Sequence, residues 1–280
     1  MTNGIKDFPK EPEFEEVMGF INEHGNQISK GASLAGTEVF AAYFDILGFR
    51  EAMKSDAGKL YETYKEATHE TREAIRPTGA RSRKGPDGKW QVEIVGYHKL
   101  NPPVTFSDAT FIVSTDASLR SFREICHVSN RFFLQMLARE FPIRGAISKG
   151  TAFWDIERGL FLGEALTSAY EFGEQMDVVG MCVHPMAQIA VEAEITDEVS
   201  LPVEVAFHGG RRVRLGVPLQ GKAITFSQNF GDPGNIWRRL YARSHASGNV
   251  SLIAKYQNSE SIVKAMLPEG TYLPIEKVTK

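Results

Sequence analysis

The sequence predicts an α+β fold whose core elements follow the order strand, helix, strand, strand, helix, strand. Three patterns support this prediction: an apolar run followed by a long amphipathic segment, two short strands joined by a tight turn, and a second amphipathic segment followed by a strand. They span residues 37–75, 104–114 and 117–153 in turn. The resulting βαββαβ order is that of the ferredoxin-like split unit.

The first strand and helix are the clearest elements. The strand at 37–45 carries an uninterrupted apolar run, Val39 to Phe44. A helix is predicted over 49–75, because apolar side chains recur on or near one helical face. They are Phe49, Ala52, Met53, Leu60, Tyr64 and Ala67. Pro77 and Gly79 then stop the helix.

The second half of the unit has a similar pattern. Apolar and small residues repeat at intervals of three and four, which predicts a helix over 117–140. The repeating positions are Leu119, Phe122, Cys126, Ser129, Phe132, Phe133, Met136 and Leu137. The last core strand follows at 143–153.

Additional elements flank this core. Residues 1–10 are predicted as a mobile leader, 12–29 as an accessory helix and 31–36 as a linker. The basic stretch 80–89 is predicted as a solvated loop, and its alternative is a cationic flap over a triphosphate or a contact to a partner. After the core, the sequence predicts a helix at 164–175, a strand at 178–183, a helix at 186–193, a hairpin at 202–207 and 212–219, and helices at 235–246 and 250–266.

Composition excludes several classes of protein. The 280 residues are 42% hydrophobic and 24% charged with a net charge of −3, which gives no reason to expect a nucleic acid or an anionic membrane as partner. Apolar runs fall short of the ~20 residues that span a bilayer, and the first ten residues lack the apolar core of a signal peptide. Cys126 and Cys182 lie within apolar patterns without zinc-like spacing. We therefore expect core thiols in a cytoplasmic protein.

Asp45 is the first candidate for chemistry. It stands where the apolar strand ends, three residues before Gly48 and close to the start of the long helix. A buried carboxylate requires a basic partner or a metal ion, and the free N–H groups of the helix suit phosphate. The alternative is an ordinary turn in which the aspartate caps the helix.

Two further motifs have charged residues at strand ends. Ser107-Asp108 forms an acidic hairpin tip, and Asp108 would meet Asp45 if the strands are neighbours. Two converging carboxylates repel each other unless a divalent cation lies between them. Arg144 opens the last core strand, and its alternative role is a salt bridge to a surface carboxylate.

Together these stretches resemble the catalytic domain of class III nucleotidyl cyclases, which carries an Asp-Ile-x-Gly-Phe motif, a hairpin Gly-Asp and an Arg six residues before a Gly. FDILGFRE, FSDATFIVS, IRGAISKG and LGEALTSAYEFGE look most like the stand-alone uridylate or cytidylate cyclases of bacterial Pycsar anti-phage defence. The resemblance covers about 37–174 and implies a cyclase domain at 37–200. Residues 1–36 would precede it as leader and accessory helix, and 201–280 would pack on it.

The resemblance also implies roles for individual residues. Catalytic Asp45 and Asp108 would bridge two divalent ions, Mn²⁺ or Mg²⁺, with the carbonyl of Ile46 as a further ligand. The backbone of Leu47, Gly48 and Phe49 would bind the β- and γ-phosphates together with the side chain of Arg144. The site would form in a homodimer, and the cyclic nucleotide would act as an anti-phage second messenger.

The choice of base departs from the purine pattern of that family. Val104 stands where purine cyclases carry a Lys or Glu, and it neither donates nor accepts a hydrogen bond. Tyr43 lies on the same strand face as Asp45, so its ring either shortens the base pocket or packs in the core. The sequence thus favours UTP, with CTP as the nearest competitor. A purine cyclase with an altered pocket and an inactive nucleotide-binding module remain alternatives.

The helix that carries the transition-state group in purine cyclases is equally divergent. Aligning Gly163-Glu164 with the strand–helix junction places Leu160, Thr167 and Glu171 at the Asp, Asn and Arg positions. Aligning Asp177 instead restores the Asp but leaves His184 and Gln188 at the other two. The first register is preferred, and it leaves the transition-state group unassigned.

Overall fold

The computed structural model describes residues 5–76, 79–95, 98–191, 200–218 and 233–260. The strands are β1 (Ile5–Phe8), β2 (Leu34–Ile46), β3 (Gly79–Lys84), β4 (Trp90–Val95), β5 (Val104–Phe106), β6 (Ala109–Val113), β7 (Ile143–Asp155), β8 (Leu160–Leu162), β9 (Gly180–Val183), β10 (Ser200–Ala206) and β11 (Arg212–Pro218). The α-helices are α1 (Phe14–Lys30), α2 (Phe49–Ile75), α3 (Leu119–Ala138), α4 (Glu164–Gln175), α5 (Pro185–Val191), α6 (Pro233–Ser247) and α7 (Val250–Asn258).

The central sheet confirms the predicted α+β class and the βαββαβ order. Its strands run β5-β6-β2-β7-β8, and β9 pairs with β7 in parallel. The four strands of the predicted unit therefore lie in the spatial order fourth, first, third, second, with every neighbouring pair antiparallel. This order places β2, which carries Asp45, between β6 and β7. β6 begins directly after Asp108, and β7 carries Arg144 near its start.

Alternation along β2 separates the two faces of the sheet. Phe40 and Phe44 face the larger part of the core, where α3 contributes Phe122 and Phe132. Val39 and Ala41 pack on the opposite face, with residues of α4. Tyr43 and Asp45 share the parity of Val39, so they point toward α4.

Three segments outside the predicted core differ from the sequence prediction. The last half of the predicted linker 31–36 is not a linker, because β2 begins at Leu34. Ile5–Phe8 is not a mobile leader, because it pairs with β4. The stretch 80–89 is not a solvated loop either, because Gly79–Lys84 forms β3 and pairs with β4 across a turn. The pairing was hidden because the side chains of Arg81 to Lys84 are all exposed, so the strand has no apolar alternation.

The elements after the core join the same hydrophobic cluster. The predicted hairpin forms as β10 and β11, and Val205, Leu215, Trp237 and Tyr256 are buried with the residues of α3. Residues 192–193, 219 and 261–266 of the predicted elements lie outside the described residues. Within the described part of the chain, no helix is long and apolar enough to cross a membrane.

Strands β2 and β7 approach each other so closely at Gly145 that a larger residue does not fit there. A Cβ atom on Gly145 would lie 2.2 Å from the backbone oxygen of Tyr43, and the paired strands leave little room to move. We expect Gly145→Ala to lower the free energy of unfolding by about 1–3 kcal/mol or more. Denaturant unfolding measures this change.

Gly19→Ala is the matched control, because a Cβ there meets nothing within 4 Å and alanine favours the helix. A Gly145→Ala protein as stable as the Gly19→Ala protein would contradict the packing described for β2 and β7.

Candidate active site

The candidate site lies where β2, β6 and β7 come together beside the end of α4. Asp45 is paired in register with Arg144 on one side and with Ala109 on the other. Asp108 directly precedes Ala109, and its carbonyl accepts a hydrogen bond of 3.3 Å from the N–H of Ile46. The three motifs singled out in the sequence therefore meet at one end of the sheet.

Arg144 is buried, with 8% of its surface exposed, and its guanidinium is surrounded by acceptors. Its Nε donates to Asp45 Oδ2 at 3.0 Å, and its Nη2 donates to Glu174 Oε1 at 2.6 Å. Its Nη1 donates to the carbonyls of Glu174 at 3.0 Å and Met176 at 3.3 Å. The basic partner that Asp45 requires is thus present within the chain.

Asp45 is itself 9% exposed, and its surroundings disfavour its charge. Burial raises the pKa of its carboxyl from 3.8 to about 6. The guanidinium of Arg144 opposes this rise in the pKa, whereas the carboxylates of Glu174 and Asp108 add to it. A positive charge brought close to Asp45 would relieve this unfavourable setting.

The hairpin tip that carries Asp108 is anchored to the long helix. Ser107 has a positive φ of 57°, and the carbonyl of Asp108 accepts a 2.8 Å hydrogen bond from the hydroxyl of Tyr64 on α2. The sequence predicted Tyr64 only as an apolar-face residue. Its contact with the hairpin was not predictable from helical spacing, because it depends on where β5 and β6 lie.

The predicted phosphate-binding backbone of residues 47–49 has fewer N–H donors available than the sequence suggested. The N–H of Leu47 donates to the carbonyl of Pro142 at 2.9 Å, so this N–H already has a partner within the chain, and a phosphate contact through Leu47 stays a prediction. Gly48 has a φ of 77° and precedes the first turn of α2, whose ladder begins with the bond from Ala52 N–H to the carbonyl of Gly48. The backbone N–H groups of Gly48 and Phe49 remain as donors at the helix start.

Tyr43 is packed in the core and does not line an open pocket. Its ring is 2% exposed and contacts the rings of Phe111 and Tyr170 at centroid distances of 5.3 Å. Its hydroxyl donates to Glu174 Oε1 at 3.0 Å, and burial raises the pKa of this hydroxyl. In this packing the ring offers almost no surface for direct contact with a base.

Val104 lies in the same cross-strand row as Tyr43. Val104 pairs with Phe111, and Phe111 pairs with Tyr43. All three side chains lie on the α4 side of the sheet, where Val104 and Phe111 border a buried cluster. The row offers apolar surface without a hydrogen-bonding side chain at the position of Val104.

The residues that the two registers placed on the helix differ in their surroundings. Thr167 and Glu171 are exposed on α4. Asp177 is held by the C-terminal helix, since Lys255 Nζ donates to it at 2.8 Å and Asn258 Nδ2 at 3.2 Å. The carboxylate of Asp177 therefore binds α7 to the rest of the fold. The transition-state group remains unassigned.

The donor set at this edge suits a hard divalent cation bound together with a phosphate ligand. Asp45 and Asp108 supply carboxylates and Ile46 a backbone carbonyl, and oxygen donors are those that Mg²⁺ prefers. In the described ranges, Asp45 Oδ1 accepts no hydrogen bond, and no cluster of three or more His, Cys, Asp or Glu side chains is positioned to hold a metal alone. Phosphate oxygens would have to complete the coordination shell.

Glu174 is the residue that sequence reasoning missed. It joins Arg144 to Tyr43 through one carboxylate oxygen. One signal was available: Glu174 lies in the last turn of α4, where the helix dipole disfavours an acidic side chain. A carboxylate in that position suggests a basic partner, but its identity depends on tertiary structure.

Comparisons with known proteins give likeness in fold alone. No family model and no curated protein matches the chain. The guanylyl cyclase Cya2 aligns with a TM-score of 0.42 at 8% identity over 69% of this chain and 97% of its own. The adenylyl cyclase CyaB from P. aeruginosa gives 0.43 at 10% identity over 68% and 98%, and a bacterial light-regulated adenylyl cyclase gives 0.39 at 11% over 74% and 99%.

The raised pKa of Asp45 predicts a pH-dependent stability. Between about pH 4 and pH 6 the folded state binds more protons than the unfolded state, so the free energy of unfolding falls as the pH rises through that window. Asp45→Asn removes the charge and should be more stable than the parent at pH 8 by about 2–3 kcal/mol. This advantage should shrink toward pH 4.

Denaturant unfolding at both pH values measures the difference. Asp87→Asn, in the exposed β3–β4 turn, is the control and should keep the parental pH dependence. An Asp45→Asn protein that is less stable than the parent at pH 8 would show that Arg144 outweighs burial.

Proposed function

We propose that this chain is a nucleotidyl cyclase that converts a pyrimidine nucleoside triphosphate, preferably UTP, to the 3′,5′-cyclic monophosphate and diphosphate. The observation that carries the proposal is the meeting of Asp45, Asp108 and Arg144 at one end of the sheet. These residues come from three separate motifs of the resemblance, and the βαββαβ topology brings them together.

The reaction requires the ribose 3′-hydroxyl to attack the α-phosphate while diphosphate leaves. Positioning and charge neutralisation dominate such a step. Two divalent cations, Mn²⁺ or Mg²⁺, would lower the pKa of the hydroxyl and neutralise the phosphates when bound. Asp45, Asp108 and the carbonyl of Ile46 would hold them.

The remaining groups of the chain act on the triphosphate. The backbone N–H groups of Gly48 and Phe49 lie at the start of α2, where the helix dipole favours anions. Arginine offers a planar guanidinium that can bind phosphate oxygens in pairs, and the guanidinium of Arg144 lies beside Asp45. Arg144 would therefore meet the phosphates at the carboxylate that holds the cation.

The preference for a pyrimidine rests on the row formed by Val104, Phe111 and Tyr43. Val104 offers no polar group for the edge of a purine, and the two rings beside it fill space on the same face. Tyr43 supports this wall from the core. A smaller ring therefore fits more readily, with its polar edge met by backbone groups.

A homodimer is proposed to complete the site. Large apolar side chains are exposed at the β5–β6 tip, on α4 and on strands β7 and β8, among them Phe106, Phe153, Leu160, Leu162 and Tyr170. A second copy would cover such surface in an isologous arrangement. It would also bring its own residues to the site, and one of these would be the transition-state group that is still unassigned.

The two carboxylates give the first functional prediction. We expect Asp45→Ala and Asp108→Ala to abolish cyclisation, because each removes a ligand of the proposed cations. Purified protein is incubated with each nucleoside triphosphate and Mn²⁺, and product is quantified by mass spectrometry. Glu157→Ala, at an exposed turn, is the control.

Either aspartate variant that retains more than about a tenth of the parental activity, which corresponds to about 1.4 kcal/mol of barrier, would contradict the assignment of metal ligands. Loss of folding is checked separately by circular dichroism.

If two copies of the chain form each site, the protein should be a dimer in solution. Light scattering should give twice the 31.1 kDa chain mass at micromolar concentration. Leu162→Glu places a charge on the exposed apolar surface and should shift the protein toward the monomer with loss of activity. A monomeric parent with full activity would refute the dimer.

The base preference is tested by competition among all four triphosphates. UTP should be cyclised in preference to ATP and GTP, since overpacking by a purine costs ~1–3 kcal/mol or more, and CTP is the nearest competitor. Tyr43→Ala should raise turnover of purines relative to UTP, because it removes support from the wall. Efficient formation of cyclic AMP or cyclic GMP by the parent would defeat the pyrimidine assignment.

If the parent prefers UTP but Tyr43→Ala leaves the ratio unchanged, Tyr43 has no part in base selection. Tyr61→Ala, an exposed tyrosine on α2, is the matched control.

A further inference from the structure

Glu174 joins two strands through a single oxygen atom. Its Oε1 accepts a hydrogen bond from Arg144 Nη2 at 2.6 Å and from the hydroxyl of Tyr43 at 3.0 Å. Arg144 belongs to β7 and pairs with Asp45, whereas Tyr43 lies two residues before Asp45 on β2 and on the same face of the sheet. The end of α4 thereby fixes a group on each strand that borders the candidate site.

The contact is not needed to dock α4 on the sheet. Arg144 Nη1 already bonds to the backbone carbonyls of Glu174 and Met176, and Gly173 packs directly against the ring of Tyr43, since an added Cβ would lie 2.8 Å from its Cδ1 atom. These contacts do not depend on the carboxylate. The acidic side chain adds charge at a helix end that disfavours it.

The charge has a consequence for Asp45. Without Glu174, the positive charge of Arg144 would be offset by Asp45 alone, and only Asp108 would remain to attract a cation. With Glu174, one guanidinium is shared by two carboxylates, and Asp108 stands nearby as a third. The group as a whole then carries a negative charge that favours a divalent cation.

We propose that Glu174 is a positioning residue of this site, which holds the guanidinium of Arg144 in place and offsets its charge so that Asp45 can bind a divalent cation. This inference rests on the proposed function, because it assigns Glu174 a part in the same cation site. Glu174 does not itself contact the reacting atoms.

Two substitutions separate charge from position. Glu174→Gln keeps an oxygen that accepts both hydrogen bonds but removes the charge, whereas Glu174→Ala removes both. The Mn²⁺ titration contains a non-cyclisable UTP analogue, whose phosphates complete the coordination shell, and a protein-free titration gives the ion bound by the analogue alone. The electron paramagnetic resonance signal of the free ion should show about tenfold weaker binding in each variant. Glu171→Gln makes the same charge change at an exposed site on α4 and should stay within about twofold of the parent.

Nuclear magnetic resonance of ¹⁵N-arginine-labelled protein reports the position of Arg144, with Arg144→Lys identifying its signals. Hindered rotation should keep the two Nη2 protons distinct in the parent and in Glu174→Gln. In Glu174→Ala these protons should merge into one averaged signal. Distinct Nη2 protons in Glu174→Ala would overturn the positioning role.

The Mn²⁺ titration tests the proposed charge role of Glu174. A Glu174→Gln protein that binds Mn²⁺ as tightly as the parent would overturn the charge role. A parent that binds Mn²⁺ but cyclises no nucleotide would refute the proposed function and leave the inference intact. A parent that neither binds Mn²⁺ nor cyclises any nucleotide would overturn both the proposed function and the charge role, while the Arg144 signals still decide the positioning role.

Discussion

The buried ion pair between Asp45 and Arg144 is the interaction on which the rest of the site depends. Both side chains are nearly removed from water and meet at 3.0 Å, and the desolvation of two such charges generally offsets much of their attraction. An apolar pair of similar size would serve stability at least as well. The pair is therefore better explained by chemistry at this edge of the sheet than by stability. The raised pKa of Asp45 is consistent with a carboxylate whose charged form a further cation would stabilise.

The backbone makes that pair possible. Long antiparallel pairing between β2 and β7 sets Asp45 opposite Arg144, and Gly145 allows the strands to approach because it has no Cβ atom. On the other side of β2, the bond from Ile46 to the carbonyl of Asp108 closes the hairpin tip against the same strand end. Charged groups separated by about a hundred residues in the chain are thus held by ordinary sheet register.

Elements with strong local signals were predictable from the sequence. Helices α2 and α4 begin and end at the predicted residues, although α2 is kinked at Asp56, whose φ of −159° and ψ of 69° are not helical. Pro77 and Gly163 stand beside these ends in the sequence. Pairing of β3 was not predictable, since its residues are polar on both faces. The bond from Tyr43 to Glu174 spans 131 positions of the chain, and no local pattern encodes a contact that depends on how α4 lies on the sheet.

The central claim is that Asp45 and Asp108 converge on divalent cations, and anomalous diffraction tests it most directly. Crystals grown with Mn²⁺ and a non-cyclisable UTP analogue are measured at the manganese absorption edge. Anomalous peaks within coordination distance of both carboxylates, about 2.0–2.6 Å, are the predicted result. Nucleotide bound with manganese away from these carboxylates, and Asp45 still paired only with Arg144, would contradict it.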